Sequence, residues 1–236
     1  MDVFWLEQSA GEVPAVDDWL SANEALLLKG MRFAKRRADW RLGRWTAKRA
    51  VALYLNASDD RRALTAIEIT PAPSGAPRVV FENQPAAVTI SLSHRSGQAI
   101  CAIAQPGAML GCDLEMIEPR SDAFAADYFT AEEQALVARA SEGDRYRLLA
   151  LLWSGKESAL KALGVGLRLD TRCVVVSPAE PGEAVDSWHP LEARYEDQAF
   201  RGWWQSHGNL LRTVVGSPPP LPPIALQIRE GQMPLD

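Results

Sequence analysis

The feature that most constrains this chain is an order of elements that occurs twice. A helical period is followed by short strand-like runs and then by a pattern of paired strands. In the first pass, 21–55 reads as one or two helices with a break at Gly30. Phe33, Trp40, Ala47, Val51 and Tyr54 share an apolar stripe, and Arg37, Arg41, Arg44 and Lys48 fall on another face. Strands are expected at 67–70, 79–81 and 88–92, with the Pro/Gly-rich turn PAPSGAP at 71–77. Gln98–Ala104 and Ala108–Glu115 read as a hairpin joined at Gln105-Pro106-Gly107. In the second pass, Thr130 is an N-cap, with Glu133 completing a capping box. A longer helix spans 144–163 and stops at Gly164. Strands follow at 167–169 and 173–176, and 200–204 with 210–215 form a closing hairpin. The repeated order predicts an α+β fold of two similarly built halves, residues 1–107 and 108–236, without a close sequence repeat. The five prolines between Ser217 and Pro223 predict an extended segment that wraps or leaves the second half.

Composition excludes several classes. Of 236 residues, 47% are apolar and 23% charged, as in a water-soluble globular protein. The start MDVFWLEQSAGEVP lacks a basic region followed by an apolar stretch, and no run reaches the ~18 apolar residues of a membrane span. Cys101, Cys112 and Cys173 have neither zinc nor disulfide spacing and read as buried free thiols, which places the chain in the cytoplasm. A net charge of −5 gives no reason to expect nucleic-acid binding. Nine Lys or Arg residues nevertheless lie between Lys29 and Arg49 against the single acid Asp39, which points to a ligand with several phosphates.

Three short motifs carry the candidate chemistry. Asp113 and Glu115 alternate with Leu114, so both carboxylates share one strand face and could hold a hard cation whose shell a phosphate completes. Alone, the pair reads equally well as two solvated acids. In Trp153-Ser154-Gly155-Lys156-Glu157-Ser158-Ala159-Leu160-Lys161, Glu157 and Lys161 share a helix face with Trp153. An ordinary i,i+4 surface ion pair is the plain alternative. Gly155 argues otherwise, because a mid-helix glycine costs about 1 kcal/mol and suggests close approach of a backbone or ligand. Ser91–Gly97 leaves a strand through Ser93, His94 and Arg95, which can donate to phosphate oxygens.

SLSHRSG, GCDLE and WSGKESALK, in that order, together with KRRADWRLGR at 35–44, resemble the phosphopantetheinyl transferases of the surfactin-synthetase-activating type, with features of the enterobactin-pathway members. The resemblance covers about 30 to 165. It implies two pseudo-symmetric α+β halves with coenzyme A in the cleft between them, residues 1–107 binding its phosphates and adenine and 108–236 carrying the metal site and catalytic helix. By position, Asp113, Glu115 and Glu157 would hold Mg²⁺, Glu157 would also be the base, and Lys161 would stabilise charge on the attacked phosphate. Ser93 and His94 would bind phosphate oxygens of coenzyme A, Arg36, Arg41 and Arg44 its 3′-phosphate, and Gly75, Ala76 and Pro77 its adenine. The implied reaction moves the 4′-phosphopantetheine arm of coenzyme A onto a serine of an acyl, peptidyl or aryl carrier protein, releasing adenosine 3′,5′-bisphosphate. A monomer is implied, because one chain forms the cleft, and neither nucleic acid nor membrane is an expected partner.

The chain departs from the family in having Ala76 where relatives often have Lys, and Pro71-Ala72-Pro73 near where they have Arg; Arg78 is the nearby cation that could compensate. Two other readings use the same residues. One is a Mg²⁺-dependent phosphoesterase or nuclease, although those usually place Glu-x-Lys on a strand. The other is a non-catalytic module that only binds coenzyme A.

Overall fold

A computed structural model describes residues 1–178 and 188–228. The first pass of elements contains β1 (Val3–Ser9), α1 (Ala22–Gly30), α2 (Ala34–Tyr54), β2 (Ile67–Pro71), β3 (Pro77–Phe81), β4 (Gln84–Pro85), β5 (Thr89–Arg95) and β6 (Gln98–Ala104). The second contains β7 (Met109–Met116), α3 (Asp122–Tyr128), α4 (Ala131–Arg139), α5 (Glu142–Ala162), β8 (Val174–Pro178), β9 (His189–Tyr195), β10 (Gln198–His207) and β11 (Leu210–Ser217), followed by β12 (Ile224–Ala225). One sheet has the order β12-β1-β6-β5, a second β7-β11-β10-β9-β8, and a third, small one β2-β3-β4. The fold is α+β.

Most elements of the two passes correspond, with α3 and β4 left over. β1 pairs antiparallel with β6 as β7 does with β11, and β5–β6, β2–β3 recur as β10–β11, β8–β9. A shared buried ion pair makes the correspondence chemical. In the first half Glu24, in the capping box of α1, lies beside Lys48 of α2 and accepts from Ile69 N of β2 at 3.1 Å. In the second, Glu133 of the α4 capping box pairs with Lys156 of α5 at 2.8 Å and accepts from Val176 N of β8, also at 2.8 Å. All four charged side chains are at most 2% exposed. Burial on this scale demands pairing, since an isolated buried charge costs several kcal/mol. Each pair ties a capped helix, a long helix and a strand together.

α2 packs on one sheet through Trp45, Ala47, Ala50 and Val51, against Leu6, Ile90, Cys101 and Ile103. α5 covers the other sheet through Leu149, Leu152, Ala159 and Leu160. Val3, Ile100 and Ala102 of the first sheet share a core with Leu110, Cys112, Leu114 and Val214 of the second. The sheets therefore meet face to face between two helical layers. At Gly111 the α5 backbone rests directly on β7, where an added Cβ would lie 1.8 Å from the Ser158 carbonyl oxygen.

The expected hairpin between 98–104 and 108–115 does not form. β6 pairs with β1 and β5, while β7 pairs with β11 across the chain, so the Gln105–Gly107 turn carries the chain from one sheet to the other. The local hairpin is β5–β6, closed by Ser96 and Gly97, both at positive φ, the conformation that two-residue loops require. The expected strand at 167–169 is instead a helical turn at Gly166–Arg168. Cys101 and Cys112 are buried, but Cys173 is exposed because it closes a short turn before β8. The proline-rich tail wraps back: Leu221 N donates to Met1 O, and β12 runs parallel to β1. Among the described residues no helix is long and apolar enough to cross a membrane.

Candidate functional site

The sheets approach each other at β5 and β7, and α5 lies over β7. Three motifs read from the sequence meet there. Ser93 Oγ donates to Asp113 Oδ1 at 2.8 Å, and Lys161 Nζ donates to the same oxygen at 2.8 Å and to Cys112 O at 2.9 Å. Lys161 thus pairs with the strand carboxylate and not with Glu157 one turn away. Burial alone would lower the pKa of Lys161, but Asp113 beside it more than offsets this and holds it above the usual lysine value. It stays an ammonium at the cavity wall.

Asp113 and Glu115 are not solvated acids: they are 5% and 6% exposed. Glu115 lies 3.0 Å from both Arg95 Nε and Arg120 Nη2, and Arg120 stacks over Phe124 at 4.8 Å. Glu157 has no hydrogen bond or ion pair among the described residues. Burial, then the nearby charges of Asp113 and Glu115, push its pKa up. Three carboxylates therefore share one electrostatic neighbourhood, and an oxygen-only donor set of this charge suits a hard dication. In the observed rotamers, however, no three His, Cys, Asp or Glu side chains among the described residues converge as a metal site. Trp153, one turn before Glu157, packs edge-on against Phe124 and Tyr128 at 5.4 and 5.0 Å. The mid-helix Gly155 admits a Val176 methyl, which a Cβ would approach to 2.8 Å, rather than a backbone or ligand.

A cavity of about 870 Å³ extends from Lys161 between the two halves. Its walls include Trp40 and Arg44 of α2, Ser74–Pro77, Ser93 and His94 of β5, and 164–166 with Arg168 after α5. Arg44, Gly75, Ala76, Pro77, Ser93, His94 and Lys161 are thus brought together. Arg36 and Arg41 are not. Arg36 is exposed near the start of α2, whereas Arg41 is tied to Asp17 at 2.7 Å and to Pro14 O. Others of the basic island also have structural work: Arg37 caps α1 through Leu28 O, Lys48 pairs with Glu24, and Arg49 with Asp59. Arg44 alone of that island lines the cavity, stacked on Trp40 at 4.9 Å and 3.7 Å from Glu24. Arg78 is exposed and outside the cavity wall. Trp40 and Arg168 are wall residues that the motif reading passed over. The apolar stripe of 33–54 places Trp40 in the core, and Arg168 belongs to none of the three motifs.

Residues 109–207 match the 4′-phosphopantetheinyl transferase superfamily. The matched stretch starts at β7, includes all of α5 and ends with β10, so it contains Asp113, Glu115, Glu157 and Lys161. Among solved structures, a holo-(acyl-carrier-protein) synthase from Bacillus anthracis str. Ames in complex with CoA (3′,5′-ADP) is similar at 19% identity and a TM-score of 0.36. That likeness covers 43% of this chain and 92% of the other. No curated protein sequence matches.

Proposed function

We propose that this chain is a phosphopantetheinyl transferase of the two-half, surfactin-synthetase-activating type, which moves the 4′-phosphopantetheine arm of coenzyme A to a carrier-protein serine. The observation that carries the reading is a cavity lined by both halves and by a charged Lys161, one helical turn from Glu157, which has no partner among the described residues. Arg44 and Trp40 at the cavity wall suit a phosphorylated nucleotide, the Ser74–Pro77 turn its base, and Ser93 with His94 the pyrophosphate. Asp113, Glu115 and Glu157 would hold Mg²⁺, with Glu115 turning from Arg95 and Arg120. When bound, the metal supplies neutralisation of the pyrophosphate oxygens.

In the proposed step the carrier serine oxygen attacks the phosphorus that bears the pantetheine arm. A bond forms there, and the bond to the bridging oxygen of adenosine 3′,5′-bisphosphate breaks. Serine is a weak nucleophile, and Glu157 takes its proton; its raised pKa brings the carboxylate closer to the working pH of a general base. Lys161 faces the developing charge on the leaving phosphate and can return a proton to it. The carrier approaches over 124–140, where Phe124 and Tyr128 pack beside Trp153 and Tyr128 is 39% exposed.

Intact-mass measurement on a panel of apo carrier proteins, with coenzyme A and with or without Mg²⁺, tests the reading. A mass gain of one phosphopantetheine arm that requires metal is the expected result. Hydrolysis of coenzyme A without carrier modification would replace it with a phosphoesterase, and tight binding with no chemistry on any carrier would replace it with a binding module.

A further inference from the structure

The cavity wall carries three permanently charged cations, Arg44, Lys161 and Arg168, and one acid, Asp39. Two of the cations are already engaged. Arg44 lies beside Glu24 and stacks on Trp40, and Lys161 is bound by Asp113 and the Cys112 carbonyl. Arg168 has neither a hydrogen bond nor an ion pair among the described residues. Its position is set by the backbone. After α5 ends, Gly164 and Gly166 both adopt positive φ, at 70° and 56°, which a side chain would oppose. This double reversal brings Gly164 against the 71–77 turn, where an added Cβ would lie 3.9 Å from Ser74 Oγ. Arg168 follows this turn and lines the cavity.

We infer that Arg168 reads a terminal phosphomonoester of the nucleotide in this cavity, acting with Arg44; the inference rests on coenzyme A as the ligand. A phosphomonoester carries close to two negative charges at neutral pH and offers three strong acceptor oxygens. Arg44, with Glu24 nearby and its face on an indole, cannot balance that alone. An unpaired guanidinium adds the missing charge and can make a bidentate contact. Arg168 would therefore set specificity for a 3′-phosphorylated donor and leave the chemistry at Lys161 unchanged.

The test is calorimetric binding of coenzyme A and dephospho-coenzyme A to the full chain, as wild type, Arg168→Ala and Arg168→Lys. Arg168→Ala is expected to weaken coenzyme A binding by roughly tenfold or more, as for loss of a charge-assisted contact. Dephospho-coenzyme A affinity should change by less than about twofold, which also shows that the variant is folded. Arg168→Lys should recover part of the loss. Equal losses for the two ligands, or no loss for either, would overturn the assignment while leaving the transferase reading intact. If the wild-type chain binds neither ligand, the ligand itself is wrong, and the carrier mass assay reports that separately.

Discussion

Lys156 and Glu157 are adjacent in the motif that most suggests catalysis, yet their surroundings are opposite. The Lys156 side chain is fully buried, with Nζ 2.8 Å from Glu133 and donating to Thr171 O at 3.0 Å and to Val174 O. Lys156→Met would leave Glu133, only 2% exposed, without its counter-ion and two carbonyls without their donor. Breaking one side of such a pair costs about 3–5 kcal/mol. The carbonyls favour the upper end of that range, since an orphaned buried acceptor costs ~1–3 kcal/mol. Two backbone donors that Glu133 keeps, Thr130 N and Val176 N, favour the lower end. For a chain of this length a loss of that size lowers the melting temperature by roughly 6–20 °C. Glu133→Gln with Lys156→Met should lose clearly less than the sum of the single changes, because no unpaired charge remains. Urea unfolding measures each term, and carrier transfer assayed at a temperature where Lys156→Met is still folded should stay near wild type. A loss under about 1 kcal/mol, or a folded variant without transfer, would refute the structural assignment of Lys156.

Two further substitutions probe the packing around the site. Glu157→Gln should abolish transfer and, in metal-free buffer, stabilise the fold at neutral pH. The sign follows from a folded-state pKa raised above the unfolded one: the wild type loses stability as pH rises through the folded value, and glutamine has no such loss. The stability gap between variant and wild type should therefore vanish near pH ~4 and grow as pH rises above it, and a glutamine variant less stable than wild type at neutral pH would count against a half-buried carboxylate without a partner. Gly111→Ala places a methyl 1.8 Å from the Ser158 carbonyl oxygen and 2.9 Å from Ala162 N, so α5 must lift from β7. A loss of more than ~3 kcal/mol is expected, and an unchanged thermal midpoint would mean that the helix does not rest on the strand there.

Legibility in the sequence followed the range of the interaction that fixes each feature. α5 was expected at 144–163 and spans Glu142–Ala162; the Thr130–Glu133 capping box is present, and the 200–204 and 210–215 runs pair as β10 and β11. Each of these depends on residues a few positions apart. The 98–115 hairpin does not form because β6 takes its partners from β5 and from β1, near the start of the chain, while β7 takes β11. Hydrophobic alternation specifies a strand and its faces but not its neighbour. The basic island misled for a related reason. Lys48 is recruited by Glu24 and Arg41 by Asp17, partners 24 positions away in each case, so charge density along the chain did not become charge density in the cavity. Conversely, Arg168 reaches the cavity only because Gly164 and Gly166 turn the chain after α5, a placement that no local period announces. The duplicated Glu–Lys pairs show the same limit from the other side. Glu24 with Lys48 and Glu133 with Lys156 form one repeated device at separations of 24 and 23 residues. Only short stretches mark the repeat: Trp45-Thr46-Ala47-Lys48 matches Trp153-Ser154-Gly155-Lys156, and Ser21-Ala22-Asn23-Glu24 matches Thr130-Ala131-Glu132-Glu133. The repeat is thus written in the sequence where the charges are buried, because exchanging one partner of such a pair is costly, and fades farther along the helices, where apolar exchange costs little.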